Sequence, residues 1–429
     1  MKNLKQSLSI GAVVAIQLIA TFATQLLVIR MVGVGHETDA YIASQALPSV
    51  LFAIISSALQ SVWLPKLSVL NNNLAEWRNQ QSVAQSQALV LGGGLFLLVW
   101  LTRDIWARLL FPGFLYHQLQ LTGLLVGPLL VAAVFNTQTS LLIIALRARG
   151  LFLVGETISM LGTILSLLMI IELIPHYGIE SAAWITALRA AIVFLILFGF
   201  AGWPGIKFRL EILKIDTWMQ MRPILFGAAI YKTSPLIDRF WISQAPTGAM
   251  TIFGLVQTAM GAVSTIMDRV ISMPLTPTMA RYVAQNNYQR LREAYLYGLK
   301  RVSYGVLAVF FALLLVYPVF ADLLSFVINI SAETANSIWI MLIFLLGYLY
   351  GAVSGSILVA VFYALNDMKT PMHIGVIGFL FGVALKSLGF IVFGLYGLIA
   401  ATSIYYLINS FYMFFSLEKK IAFRLSRKS

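Results

Sequence analysis

Apolar residues occupy this chain in long, nearly unbroken stretches of about 20, divided by short polar clusters. A helix rises 1.5 Å per residue, so about 20 apolar residues cover a hydrocarbon core of roughly 30 Å. The pattern predicts twelve transmembrane helices, near 7–29, 41–64, 82–102, 120–146, 151–174, 179–201, 222–245, 249–275, 302–328, 336–365, 371–393 and 395–416. An all-α integral membrane fold is the expectation. The first helix lacks a small-residue cleavage site after a short apolar core and is read as retained. No outer connection exceeds about 20 residues, too little for the extramembrane platform of a membrane glycosyltransferase or ligase.

Composition agrees: 60% of the 429 residues are hydrophobic and 10% charged, against about 25% charged in a soluble domain. There is no cysteine, which excludes disulfides and Cys-based metal sites. The net charge of +13 is explained by its distribution. With both termini cytoplasmic, the inner connections and termini collect 21 basic residues and the outer connections three, Arg30, Arg103 and Arg108. That asymmetry is the positive-inside pattern, and it needs an even number of helices. The excess charge therefore expresses topology and attraction to anionic membrane lipids, with no call for nucleic acid.

Internal matches suggest two halves. Ala145-Leu146 and Tyr177-Gly178 recur as Ala364-Leu365 and Tyr396-Gly397 at an offset of 219, and Gly35 and Pro65 correspond to Gly248 and Pro277. The expected units are six-helix bundles, 1–215 and 216–429, joined by the polar segment from Trp203 to Arg222. Six being even, the repeats are parallel, with a cleft between the bundles and alternating access as the expected motion.

Ionisable residues inside spans are costly and normally face protein or a wet cavity, which makes them functional candidates. Here they are Glu156, Arg189, Lys232, Asp238, Arg239, Asp268, Arg269 and Lys386, a net +2. Lys232 and Arg239 lie two turns apart on one helical face, with Pro235 between them expected to kink the helix. A surplus of buried positive charge favours an anionic cargo such as a pyrophosphate and repels a cationic drug. His36, His117, His176 and His373 show no metal-ligand spacing, no phosphate-binding lysine loop occurs, and Gly92-Gly93-Gly94 suits close helix packing. No metal or cofactor is expected. Asn136, Gln138 and Gln257 are candidates for a polar path or for interhelical bonding.

The stretch from Val28 to Ser68, with Gly33, Gly35, Thr38-Asp39-Ala40-Tyr41, Leu47-Pro48 and Pro65, resembles the MurJ/MviN branch of the multidrug/oligosaccharidyl-lipid/polysaccharide exporter superfamily. Phe362-Tyr363, Lys369-Thr370-Pro371 and Gly397 resemble its later helices. The resemblance implies a V-shaped pair of six-helix bundles that flips an undecaprenyl-pyrophosphate-linked sugar, and it aligns Asp39 with an acidic family position. Where the peptidoglycan-precursor flippases carry arginines, this chain has Leu18, Thr24, Phe52 and, on the eighth helix, the neighbourhood of Thr258. Lys232, Arg239 and Arg269 are the expected substitutes.

The leading expectation is a flippase of the bacterial inner membrane for a lipid-linked glycan, a polysaccharide repeat unit or lipid II. Lys232, Arg239, Arg189, Arg269 and Lys386 are the expected pyrophosphate contacts, and Asp39, Glu156, Asp238 and Asp268 the gating or ion-coupling groups. Membrane potential, Na+ or H+ is the expected driver, the potential being worth about 2.3 kcal/mol per charge per 100 mV. A multidrug antiporter of the same superfamily is the alternative and requires an acidic cavity. A third reading is a non-transporting scaffold that binds glycan-assembly proteins.

Overall fold

The computed structural model describes residues 2–70, 73–201 and 215–426, so Asn71-Asn72, most of the expected linker and the last basic residues, Arg427 and Lys428, lie outside the description. All regular structure among the described residues is helical. In chain order the helices are α1 (Lys2–Val32), α2 (His36–Val69), α3 (Leu74–Leu101), α4 (Arg103–Leu110), α5 (Tyr116–Ala148), α6 (Phe152–Phe200), α7 (Ile215–Lys232), α8 (Ser234–Ile242) and α9 (Ala249–Met267). A π-helical turn, Asp268–Ser272, leads into α10 (Met273–Ala284), followed by α11 (Tyr288–Ile328), α12 (Ala332–Phe344), α13 (Leu346–Ala364) and α14 (Lys369–Ser426). Nine stretches of the described residues are helical, long and apolar enough to cross a membrane.

Several of the expected spans are parts of longer helices. The spans at 151–174 and 179–201 form α6, broken at Gly178 (φ 64°, ψ −159°), and those at 371–393 and 395–416 form α14, broken at Gly394 (φ 60°, ψ −143°). Both glycines occupy a backbone region that is essentially closed to residues with a Cβ. α3 and α11 begin 8 and 14 residues before the apolar stretches at 82 and 302, because a helix that leaves lipid can continue in water on a polar face. Asn73 and Asn287 cap these extensions, each accepting a backbone N–H three residues on, from Glu76 (3.2 Å) and Arg290 (3.1 Å).

Some of the left-handed positions recur at a near-constant spacing. Gly33, Gly150 and Gly178 have counterparts in Gly248, Asn366 and Gly394, at spacings of 215, 216 and 216. Around Gly150 and Asn366 the helix-ending bonds also match. Leu151 donates to Leu146 and Gly150 to Arg147, while Asp367 donates to Phe362 and Asn366 to Tyr363. The spacings of the left-handed positions differ by three or four residues from the offset of 219 expected from the Tyr-Gly pair, and Gly33 stands in place of the expected Gly35 as the counterpart of Gly248. Gly397 is a packing position, since a Cβ there would lie 2.0 Å from the Gly389 carbonyl oxygen.

Contacts divide the chain into two compact units, Met1–Thr251 and Ile252–Ser429. In the first, α5 is central and packs against both α2 and α6, with α1 on α6 and α7 on α2. Leu59, Trp63, Leu67, Trp77 and Leu141 form one of its core clusters. α7 and α8, expected as the start of the second half by sequence order, group with the first unit by contact. In the second unit α13 packs on α14 and α11 around Tyr295, Leu358 and Phe362. Burial runs opposite to hydropathy. The most apolar stretch of α11 is the most apolar of all and buries none of its residues, whereas that of α5 buries 67%. Residues such as Leu315, 83% exposed, have lipid as their natural surroundings.

Candidate functional site

The helix carrying Lys232 and Arg239 is broken. Pro235 sits in the first turn of α8, where its missing N–H costs least, and α7 ends at Lys232 with Thr233 between. The expected kink thus takes the form of two short helices, and each cation falls in the last turn of its own helix, where the helix dipole favours positive charge. Discontinuous helices of this kind line cavities in membrane transporters because freed backbone groups need polar surroundings.

Both cations reach the same neighbour. Lys232 Nζ donates to the Ala53 carbonyl oxygen (3.1 Å) and Arg239 Nη1 to that of Ile42 (2.8 Å), so α7–α8 runs antiparallel to α2. A carbonyl satisfies donors without cancelling charge. Asp238, buried at the adjacent position, offsets part of the charge of Arg239. Lys232 and Arg239 are the candidate cations that the first unit brings onto one side of α7–α8, both against α2.

The remaining candidates of the first unit have other surroundings. Arg189 lies between the arms of α6, with Nη1 3.4 Å from Thr163 Oγ1 and its stem against Gly162. Glu156 accepts from Arg147 at 2.5 Å, closing the end of the α5–α6 hairpin. Asp39 is buried and accepts from the Gly248 N–H (2.6 Å), the Thr251 N–H (2.8 Å) and the Thr251 hydroxyl (2.6 Å), capping the start of α9 from α2. With three donors on its two oxygens, its carboxylate is a structural cap.

In the second unit, Asp268 accepts from the Ser356 hydroxyl at 2.5 Å, and Ser356 lies 2.9 Å from Ser272. Arg269 lines a cavity of about 320 Å³ with Ser264, Thr265, Asp268 and Ser356, where the π turn opens the helix. Lys386 is buried on α14 with its ammonium 5.9 Å from the Tyr405 ring.

Some of the polar interior escaped the sequence reading. Gln81, Gln85 and Gln87 are buried on α3; Gln85 and Gln138 exchange bonds to each other's carbonyls (3.4 and 3.2 Å), and Trp63 donates to Gln87 (3.1 Å). The spacing of four between Gln81 and Gln85 was the available signal. His36 and His117, which show no metal-ligand spacing in the sequence, meet edge to face with ring centroids 5.1 Å apart. Among the described residues no group of three or more metal-binding side chains forms.

Comparison with known proteins gives a consistent result. A family model described as the lipid II flippase MurJ matches residues 28–429. A curated protein, the probable lipid II flippase MurJ of Buchnera aphidicola subsp. Baizongia pistaciae (strain Bp), is 23% identical over 399 residues, 88% of this chain and 76% of that one. A solved structure of a lipid II flippase MurJ in an inward closed conformation superposes with TM-score 0.74 at 16% identity, covering 93% of this chain and 87% of that one. An inward-facing MATE family multidrug transporter of the MOP superfamily gives 0.79 at 16% identity, covering 96% of each chain. These two likenesses establish the shared fold.

Proposed function

We propose, from the premise that this chain belongs to the lipid II flippase MurJ family, that it carries an undecaprenyl-pyrophosphate-linked glycan across the bacterial inner membrane by alternating access. It is a multi-pass membrane protein with the fold of the MOP transporters. In this reading it makes twelve crossings with both termini cytoplasmic, and lipid II is the first cargo to test.

One observation carries the assignment of the headgroup contacts: Lys232 and Arg239 share one face of a broken helix and are held by carbonyl oxygens of α2. Such cations retain charge to offer a diphosphate, and a pyrophosphate oxygen can replace a carbonyl as acceptor. Arg269, which lines its own polar cavity, Arg189 and Lys386 are further candidate charges for the same cargo. No step needs a bound cofactor; membrane potential or an ion gradient supplies the drive. The antiporter alternative loses support at Asp39, whose carboxylate is already occupied by three donors.

The test is complementation of bacteria depleted of their own lipid II flippase. The wild-type chain should restore growth and prevent lysis. Lys232→Ala and Arg239→Ala should fail while reaching the membrane in normal amount, and growth supported equally by both variants would count against the assignment.

A further inference from the structure

Of the three basic residues expected on the outer side, two converge. Arg103 and Arg108, at the two ends of α4, line a cavity of about 330 Å³ together with Asp104, Tyr116, Gln120 and Leu124. The cavity lies where α3 ends and α5 begins, which on the topology adopted above is the level of the headgroups. Positive charge is depleted from that side by the topology itself, so two arginines at one spot call for a local cause.

The construction of the pocket supplies one. α4 is an eight-residue amphipathic helix that buries Trp106 and Ala107 and leaves Ile105 and Leu109 exposed, the pattern of a helix lying in the membrane interface. Trp106 Nε1 donates to the Val99 carbonyl (3.1 Å), fixing α4 against the end of α3. The Arg103 guanidinium rests over the Trp100 ring, 4.3 Å from its centroid, and is 3.9 Å from Asp104. Gln120 donates to the Tyr116 hydroxyl (2.9 Å), placing two further polar groups on the wall. Leu124 is 52% exposed, so an apolar flank faces lipid beside the charged mouth.

Two guanidiniums against one carboxylate leave an anion-attracting pocket, and arginine forks match phosphate oxygens. The volume is at the low end of small-ligand sites, about 300–1,000 Å³, which suits a glycerophosphate headgroup better than a pyrophosphate bearing several sugars. We infer that Arg103 and Arg108 hold the phosphodiester headgroup of an anionic phospholipid at the outer face, with its acyl chains beside Leu124. The outer placement rests on the topology adopted above; the lipid site itself is independent of the cargo.

Gly123 provides a way to close the pocket without touching its charge. A Cβ there would stand 3.6 Å from Asp104 Oδ1 and 3.9 Å from Arg103 Cδ, so a larger side chain grows into the cavity. The experiment is native mass spectrometry of the full chain released from detergent, titrated with phosphatidylglycerol, phosphatidylcholine, undecaprenyl pyrophosphate or inorganic phosphate. Thermal unfolding checks that each variant is folded. Wild type should prefer phosphatidylglycerol over phosphatidylcholine. Arg103→Gln and Arg108→Gln should each cut that preference about fivefold, near the value of one basic residue at a membrane surface, and Gly123→Leu should cut it with both arginines present. Equal retention of both phospholipids by wild type overturns the proposal, as does full preference in the double arginine variant or in Gly123→Leu. Displacement of phosphatidylglycerol by inorganic phosphate at equal concentration would make the occupant a free anion. Loss of undecaprenyl pyrophosphate alone in the arginine variants would assign the pocket to the cargo. Either result contradicts a resident phospholipid. Rescue of flippase-depleted cells is read separately, so failure here leaves the transport reading standing.

Discussion

Asp39 and Lys232 show how far a side chain's role depends on its partner. Asp39, in the polar first turn of α2, accepts three hydrogen bonds from Gly248 and Thr251, while Lys232, inside an expected span, donates to one carbonyl oxygen. Asp39→Ala should lower unfolding stability by about 2–4 kcal/mol, because two backbone donors and a hydroxyl lose a charged acceptor. Thermal denaturation in detergent measures this; an unchanged midpoint would contradict the capping role. Asp367, between α13 and α14, gives a pH-dependent counterpart. Burial raises its carboxyl, but Lys420 and the Thr370 hydroxyl and N–H outweigh that and bring it from 3.8 to about 2. The folded value lies below the unfolded one, so its contribution, about 1 kcal/mol once solvent screening is allowed for, is complete above the unfolded value and is lost as pH falls through about 2. Asp367→Asn should reduce stability at pH 7 and flatten the acid limb between about pH 4 and 2. The charged positions were visible in the sequence; their partners were not, since Gly248 lies 209 residues from Asp39 and Ala53 lies 179 from Lys232.

At the scale of elements, lipid as solvent made the apolar stretches legible, and helix is the form that satisfies their backbone groups internally. Where the chain turns was less so. The Tyr-Gly pairs pointed to Gly178 and Gly397, but the second break falls at Gly394, and Gly397 instead allows the close approach of Gly389. A glycine's letter does not distinguish an unusual φ from a tight contact. Gly178→Ala and Gly394→Ala should each cost about 1–3 kcal/mol, from placing a Cβ in a glycine-only region. No atom stands within 4 Å of either added Cβ, so the loss would be one of backbone strain alone. Equal thermal midpoints for wild type and both variants would show that the breaks relax freely. α4 was missed because eight residues are too short for a span, although the alternation of Ile105 and Leu109 with charges marks an interfacial helix.

For the whole molecule, the all-α membrane fold follows from apolar periodicity and the family from the resemblance carried by Gly33 to Pro65; the solved structures share the fold and the family match covers residues 28–429. The site was only partly legible. Spacing placed Lys232 and Arg239 on one face, and the structure adds that α2 receives both through carbonyls. The buried glutamines of α3 could not be ranked from sequence, because a polar residue in a span serves helix packing as readily as a path. Lys232 and Arg239 are proposed to hold the diphosphate of a lipid-linked glycan while it crosses. The most direct measurement of this role is the flipping of fluorescent lipid II in vesicles containing the purified chain. Wild type should move lipid II between leaflets and Lys232→Ala and Arg239→Ala should slow it at least tenfold, the loss of about 1.4 kcal/mol or more of a charge-assisted contact; flipping at the wild-type rate by both variants would contradict the account.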